Sequence, residues 1–370
     1  MDALEKFSSV ALDPASYLKD LHKKAGKKFI GVMHPTVPQE VIYAAGLHPY
    51  RLFPLQSGQI TLAHANLHPY TSSIFRAIWD QYLKGEYPYM DGVALPESCE
   101  TVTYFARGWK WNRPQDFVAT IVVPFKKTAN ALDFLQQEIK NFTGQVEAFG
   151  GKKVTDNSLA DSIKLYEKNR EYIRKLYALR KQAEPVISGL EFFKIAMANM
   201  VMDKNESNIL LEELLEIYGK KKAIKPLARV LISGPCVIDS KIYSAIESTG
   251  AVIVADDTNM GMRTYGCSVS SSGDHYKALA QAYSQIPCPF SFAAENRLAN
   301  LEKTCKEYNV GGIIFCIEKA CESEKMDFPY LEDKIKNGLG VPLAYLETEY
   351  LIDIAPLKTR IDGFIESLVK

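Results

Sequence analysis

The residues best suited to chemistry in this sequence are thiols. Cys99, Cys236, Cys267, Cys288, Cys305, Cys316 and Cys321 make seven. An odd number in a long chain does not describe a disulfide framework. Their placement against the apolar runs is informative. Cys99 falls just after the run Asp91–Leu95, in Pro96-Glu97-Ser98-Cys99-Glu100-Thr101. Cys236 follows Ser233-Gly234-Pro235, Cys316 closes the run Gly311–Cys316, and Cys321 lies five residues further on. Two carboxylates, Asp256 and Asp257, end the run Ala251–Ala255 in the same way. If these runs are parallel strands, the side chains lie at the carboxyl edge, where open α/β sheets bind ligands. Thiolates gathered there are the usual donors to an iron–sulfur cluster. Thiols from the two halves of the chain could then share one cluster across a cleft. Plainer readings stand beside this one: a cysteine after a strand also serves as a small core residue, and a carboxylate there also caps a helix.

Other chemistries find no pattern. There is no Gly-x-x-x-x-Gly-Lys-Ser/Thr loop and no Gly-x-Gly-x-x-Gly after a strand, which argues against a P-loop nucleotidase and a standard dinucleotide site. No Gly-x-Ser-x-Gly elbow and no Cys-x-x-Cys occur. No Ser/Thr/Gly-rich phosphate loop follows the first strand, which disfavours a flavin mononucleotide binder. The six histidines, His22, His34, His48, His64, His68 and His275, form no convincing helical metal pair, because Pro69 follows His68.

The elements that would position these thiols alternate. Lys28–Met33 reads as a strand, Pro38–Ala45 as a helix opened by proline, Ser72–Lys84 as a helix, Asp91–Leu95 and Phe117–Val123 as strands, and Ala129–Asn141 as a helix. From about Asp156 to Lys222 no strand signal occurs; Leu159–Gln182, Leu190–Met202 and Asn205–Tyr218 carry helical periodicity. The rhythm then restarts: strand Arg229–Ser233, helix Asp239–Ser248, strand Ala251–Ala255, helices His275–Gln285 and Ala294–Tyr308, strand Gly311–Cys316, helix Tyr330–Asn337, strand Pro342–Leu346 and helix Pro356–Val369. Strand–helix alternation predicts parallel sheets with helices on both faces. The expected organisation is an N-terminal α/β lobe over 1–155, a helical linker or cap over 156–225 and a C-terminal α/β lobe over 226–370.

Composition is compatible with two such cores. The chain has 370 residues, of which 47% are hydrophobic and 24% charged. Lys plus Arg number 44 and Asp plus Glu 44, giving no net charge, where a nucleic-acid binder carries a basic excess. The short basic runs Lys23-Lys24, Lys27-Lys28 and Lys220-Lys221-Lys222 read as solvated helix ends, or as partners for an anion such as a coenzyme A phosphate. No apolar run reaches the roughly 18 residues that cross a bilayer, and Met-Asp-Ala-Leu-Glu-Lys lacks a signal core. A cytoplasmic protein without nucleic-acid or membrane partners is expected.

Several segments carry a resemblance. Pro38-Gln39-Glu40-Val41-Ile42-Tyr43-Ala44-Ala45-Gly46-Leu47-His48-Pro49 is followed, in order, by Leu83-Lys84-Gly85, Asp91-Gly92-Val93 and Cys99-Glu100-Thr101. Val254-Ala255-Asp256-Asp257 with Arg263 comes next, then Gly312-Ile313-Ile314-Phe315-Cys316, Cys321 and Phe328-Pro329-Tyr330-Leu331. Together, over nearly the whole chain, these resemble the 2-hydroxyacyl-CoA dehydratase and benzoyl-CoA reductase family, most of all the smaller (beta, or C) subunit of the dehydratases.

That resemblance implies two flavodoxin-like (Rossmann-like), doubly wound parallel-sheet lobes joined by a helical region. It implies a 4Fe-4S cluster between them, held by three cysteines. Carried over, Cys99 and Cys321 match two ligand positions. The remaining position falls near Thr71-Ser72-Ser73-Ile74, where this chain has Ser72. Three readings stay open: Ser72 supplies an oxygen ligand, Cys316 or another thiol takes its place, or the cluster is altered or absent. The implied activity is removal of water from a 2-hydroxyacyl-CoA through a ketyl radical. Its implied partners are a larger homologous subunit, an acyl-CoA substrate and a separate ATP-hydrolysing iron–sulfur activator. Asp256, Asp257, Arg263 and His34 would shape the crevice or meet the activator. The alternative is a non-catalytic or electron-transfer homologue, including a benzoyl-CoA-reductase-like subunit.

Overall fold

The computed structural model describes residues 2–55, 58–150, 152–290 and 293–369. Two four-stranded, wholly parallel sheets form its frame. The first comprises β1 (Phe29–Val32), β2 (His48–Arg51), β3 (Gly92–Glu97) and β4 (Phe117–Val122), in the order β2-β1-β3-β4. The second comprises β5 (Arg229–Gly234), β6 (Val252–Thr258), β7 (Gly312–Glu318) and β8 (Leu343–Thr348), in the order β6-β5-β7-β8. The two orders are the same pattern used twice, and it is the doubly wound, flavodoxin-like one. The central strands β1, β5 and β7 are buried along their whole length. Burial on both faces is why they read as unbroken apolar runs.

The first half of the chain supplies α1 (Ala3–Leu12), α2 (Pro14–Ala25), α3 (Gln39–Ala44), α4 (Ser73–Leu83), α5 (Glu100–Asn112) and α6 (Ala129–Gly150). The strand-free middle forms α7 (Asp156–Leu179), α8 (Gly189–Val201) and α9 (Lys204–Tyr218). The second sheet brings α10 (Ser240–Glu247), α11 (Met262–Tyr265), α12 (His275–Tyr283), α13 (Ala294–Glu307), α14 (Glu322–Lys334) and α15 (Ile354–Val369). Among the described residues no helix is long and apolar enough to cross a membrane.

Two packing choices join the halves. Helix α8 touches both edge strands, β2 and β6, and one apolar cluster runs through it from the first sheet to the second. Helix α12 packs instead on α6 and α7, where Leu279 and Ile286 share a core with Ile30 and Ala94 of the first sheet. The chain therefore returns to the first lobe between β6 and β7. This return delivers the loop that follows α12 to the space between the sheets.

The structure adds elements that periodicity does not suggest: α1, α2, β2 and α5. Strand β2 is an edge strand of His48-Pro49-Tyr50-Arg51, and the edge is where a sheet tolerates proline. Helix α14 starts at Glu322 rather than Tyr330 and carries Pro329 inside it.

Candidate functional site

In each sheet the strand order reverses between the first and third strands in sequence, β1 and β3 in one and β5 and β7 in the other. Such switch points leave a crevice at the carboxyl ends. Both crevices open on one cavity of about 220 Å³. The first lobe contributes His34, just beyond β1, and Cys99, just beyond β3; the second contributes Cys236, beyond β5, and Glu318, Ala320 and Cys321, from the end of β7 onward. Ser72, ahead of α4, Asn259, and Cys288, from the loop after α12, add to its polar lining, as do Glu100, Thr101, Glu322 and Ser323 at the starts of α5 and α14, while Phe75, Val102, Phe290 and Met326 supply apolar wall.

Three helices begin at this cavity. Ser72 is the N-cap of α4, Cys99 of α5 and Cys321 of α14. Helix N-termini present unpaired N–H groups and favour anions. The N–H groups of Val102 and Thr101 favour the Cys99 thiolate, and that of Glu324 favours the Cys321 thiolate. Burial outweighs them. It pushes the Cys99 thiol up, the Cys321 thiol well above its ordinary range, and the Cys288 thiol up to about 11. Cys321 is held up further by the Glu324 carboxylate and by its neighbours Cys288 and Cys99. As free thiols these groups carry their protons at neutral pH, and a bound cation is what would draw them off.

Ser72 stands in a different setting. The carboxylate of Glu318 accepts from the N–H and the hydroxyl of Ser73, each at 3.1 Å, and its other oxygen accepts from the N–H of Ala320 at 3.0 Å. The start of α4 thus already holds an anion from the opposite lobe. Burial raises the Glu318 carboxyl, and these donors, with Ser72, pull it down.

His34 accepts from the N–H of Thr36 on Nδ1 at 3.3 Å, with the Thr36 hydroxyl 2.9 Å from the same atom. The neutral ring therefore carries its proton on Nε2. Burial, with Arg51 and Arg263 nearby, pushes its pKa down to about 3. Arg51 is itself 1% exposed, and its Nε and Nη1 have no hydrogen-bond partner among the described residues. It places positive charge near both His34 and Cys236.

The sequence of the 2-hydroxyglutaryl-CoA dehydratase D-component family matches this chain over residues 35–368, a span that holds β2 to β8 and every cavity residue named above except His34. The chain belongs to this family. It is 23% identical to the (R)-phenyllactyl-CoA dehydratase beta subunit of Clostridium sporogenes, over 98% of this chain and 97% of that one. It is 25% identical to the beta subunit of the (R)-2-hydroxyglutaryl-CoA dehydratase of Acidaminococcus fermentans, over 99% and 98%. It is also 24% identical to a benzoyl-CoA reductase subunit of Thauera aromatica, over 92% and 91%.

Within this dehydratase-family chain, the cavity gathers Cys99, Cys321, Ser72 and His34. Cys316 is not among its lining residues. It is 1% exposed within β7, and burial pushes its thiol up to about 12. Asp256, Asp257 and Arg263 line a separate crevice, of about 420 Å³. Asp256 accepts from the Tyr177 hydroxyl at 2.5 Å and from the N–H of Met262 at 2.9 Å. Arg263 donates to both oxygens of Asp257 at 2.8 Å and to Glu324 at 2.7 Å. Arg297 donates to Glu324 and to Asp327, both at 2.8 Å. With 0% of its side chain exposed, Arg263 shows no surface to another protein. The network instead anchors Glu324 in the first turn of α14, and so positions Cys321 three residues before it.

Among the described residues, no three His, Cys, Asp or Glu side chains converge on one metal ion. A mononuclear zinc site needs such convergence. A polynuclear cluster takes its ligands at separate irons, so thiols spread around a cavity of this size fit it better. Sequence reasoning overlooked Cys288, Glu318 and Arg51. Cys288 follows a helix rather than a strand, but its setting in Pro287-Cys288-Pro289 was a signal of a constrained backbone.

Proposed function

We propose that this chain is a subunit of an iron–sulfur (R)-2-hydroxyacyl-CoA dehydratase. On this reading it works with a larger homologous subunit, and a separate ATP-hydrolysing iron–sulfur activator supplies the electron for a ketyl-radical elimination of water from the acyl-CoA. The observation that carries the reading is the meeting of Cys99 and Cys321, one from each lobe, at a shared cavity where two switch points and two helix N-termini face each other. A 4Fe-4S cluster bound there supplies one-electron chemistry and an iron able to accept an oxygen ligand.

The chain's own residues would do the rest. Cys99 and Cys321 give up their protons and hold iron as thiolates. The first turns of α5 and α14 favour those thiolates. Arg51 and Arg263, buried and positively charged, offset the negative charge of the occupied cavity. Neutral His34 presents an Nε2–H as a donor. Phe75, Val102 and Phe290 give the site apolar walls that limit water there, which strengthens each of these interactions.

A second reading, an electron-transfer subunit of a benzoyl-CoA-reductase-like enzyme, draws support from the likeness to the Thauera aromatica protein. Anaerobic purification tests the shared core of both. Brown protein with iron and sulfide near one cubane per chain is expected, and Cys99→Ala should lose most of both. A colourless, iron-free preparation overturns the cluster. Assay of the assembled complex for dehydration of 2-hydroxyacyl-CoA against reduction of an aromatic ring separates the two activities.

A further inference from the structure

Two thiolates leave a four-iron cluster under-held, since such clusters are bound mainly by cysteine. The cavity offers further donors in Ser72, Glu318, Cys236 and Cys288, and their surroundings differ. At Ser72 the adjoining helix N-terminus is already occupied by the Glu318 carboxylate. An alkoxide at Ser72 would form against that negative charge. Glu318 in turn is spent on Ser73 and Ala320. Cys236 has Asn259 and the Glu318 carboxylate as neighbours, so a thiolate there would also form beside that negative charge.

Cys288 lines the same cavity as the two thiols that carry the reading above. Its sulfur is close enough to Cys99 for their charges to interact, and Cys321 is within the same range of both. It also lies near the positive charge of Arg263. The three thiols reach the cavity from three independent directions. Cys99 comes from the end of β3, Cys321 from beyond β7, and Cys288 from a loop launched by α12, which is packed on the first lobe. The backbone there is constrained: Pro287 and Pro289 flank the residue, and the Cys288 N–H donates to the Ile286 carbonyl at 2.8 Å. A constrained loop between two lobes is a suitable mount for a ligand, because its geometry costs little further ordering on binding.

We propose that Cys288, rather than Ser72 or Cys316, is the third thiolate that holds the cluster. The assignment rests on the cluster reading above. On binding, each of the three thiols loses its proton to solvent and donates its sulfur to a different iron.

Iron and acid-labile sulfide are measured on anaerobically purified full-length chain, with the visible and low-temperature EPR spectra. Cys288→Ala should lose most of its iron, as Cys99→Ala does, while far-ultraviolet circular dichroism stays that of the metal-free wild type. Cys288→Ser should keep part of its iron with a shifted spectrum, as an oxygen ligand requires. Ser72→Ala should match the wild type in iron and spectrum. Wild-type iron and an unshifted spectrum in Cys288→Ala overturn the assignment and leave the cluster in place. If Cys288→Ala does not fold, a full, unshifted cluster in Cys288→Ser overturns it equally. A wild-type chain without iron removes the cluster reading itself, and Cys288 with it.

Discussion

Glu318, at the end of β7, holds Ser73, at the start of α4, by two hydrogen bonds of 3.1 Å, one to its backbone N–H and one to its hydroxyl. The Ser73 hydroxyl also accepts from the N–H of Tyr350, at 2.9 Å. One buried carboxylate thus joins a helix of the first lobe to the second sheet, directly beside the cavity. Glu318→Ala strands the Ser73 N–H and the Ala320 N–H without an acceptor. A buried group left unpaired costs about 1–3 kcal/mol, so the urea midpoint should fall by that equivalent. Glu318→Gln keeps an acceptor and should lose less. Equal losses in the two variants would show that charge, not acceptance, matters here.

Glu40 has a similar joining role within a segment that carries the family resemblance. It is wholly buried, 2.7 Å from Arg170 of α7 and 2.6 Å from the Tyr283 hydroxyl of α12. The Ser162 hydroxyl donates to its carbonyl at 2.8 Å. Removing one partner of a buried pair leaves the other charge uncompensated, at roughly 3–5 kcal/mol. Glu167, 3.0 Å from Arg170, softens this toward the lower figure. Glu40→Ala should therefore lower stability by about 3 kcal/mol in urea titration, with Glu40→Gln intermediate. A neutral outcome for Glu40→Ala would mean that Glu167 alone compensates Arg170.

How legible the molecule was in its sequence follows from burial. Strands β1, β3, β5 and β7 were placed within a few residues because their apolar runs have no polar face to interrupt them. Strand β2 was not found: an edge strand of four residues with proline and arginine looks like a loop. Cys99 and Cys321 drew notice because each stands shortly after such a run. Glu318 was hidden inside one, since Gly312–Glu318 continues the strand past Cys316 and ends on the carboxylate. Cys288 was hidden for a topological reason. Its place in the cavity depends on α12 crossing back to the first lobe, and no local pattern encodes a long-range packing choice. The resemblance pointed to Ser72 as the position of interest, and the structure explains that position through Glu318, a residue far away in sequence.

The buried imidazoles give a pH dependence with a definite sign. His48, on β2, lies against the ring of Phe29 at 4.4 Å and has Nε2 3.3 Å from the Val201 carbonyl, to which it donates. Burial pushes its pKa down to about 4. The unfolded imidazole, near 6.5, takes up a proton that the folded one refuses. Stability is therefore whole above pH 6.5 and falls as pH drops toward 4, by about 1.4 kcal/mol per pH unit for this group. His48→Gln keeps a donor for Val201 without titrating. Urea midpoints taken between pH 7 and 5 should fall more steeply for wild type than for His48→Gln, by the equivalent of one proton. His34 adds its own slope to both proteins. Parallel lines would show that His48 is protonated in the folded state.

Gly234 tests how tightly the second switch point is built. It ends β5 with φ +155°, and a Cβ placed there would lie 1.9 Å from the Cys316 carbonyl oxygen, with the Val237 side chain at 3.4 Å. That carbonyl belongs to the neighbouring central strand, so neither partner can move without parting β5 from β7. The next two residues are Pro235 and Cys236, which carry the strand end into the cavity. Overpacking a rigid site costs about 1–3 kcal/mol or more, and here the opposing atom is backbone, so Gly234→Ala should reach the upper end and also disturb thiol access at Cys236. Gly338 is the contrasting case: an added Cβ meets nothing within 4 Å and no left-handed φ is involved. Gly338→Ala should be neutral, or stabilise by up to about 1 kcal/mol through the unfolded chain. The pair is read by urea denaturation and by the rate of Cys236 alkylation in the folded state. If Gly234→Ala is as stable as Gly338→Ala, the two central strands can separate at this end, and the second lobe's contribution to the cavity is looser than its hydrogen bonding implies.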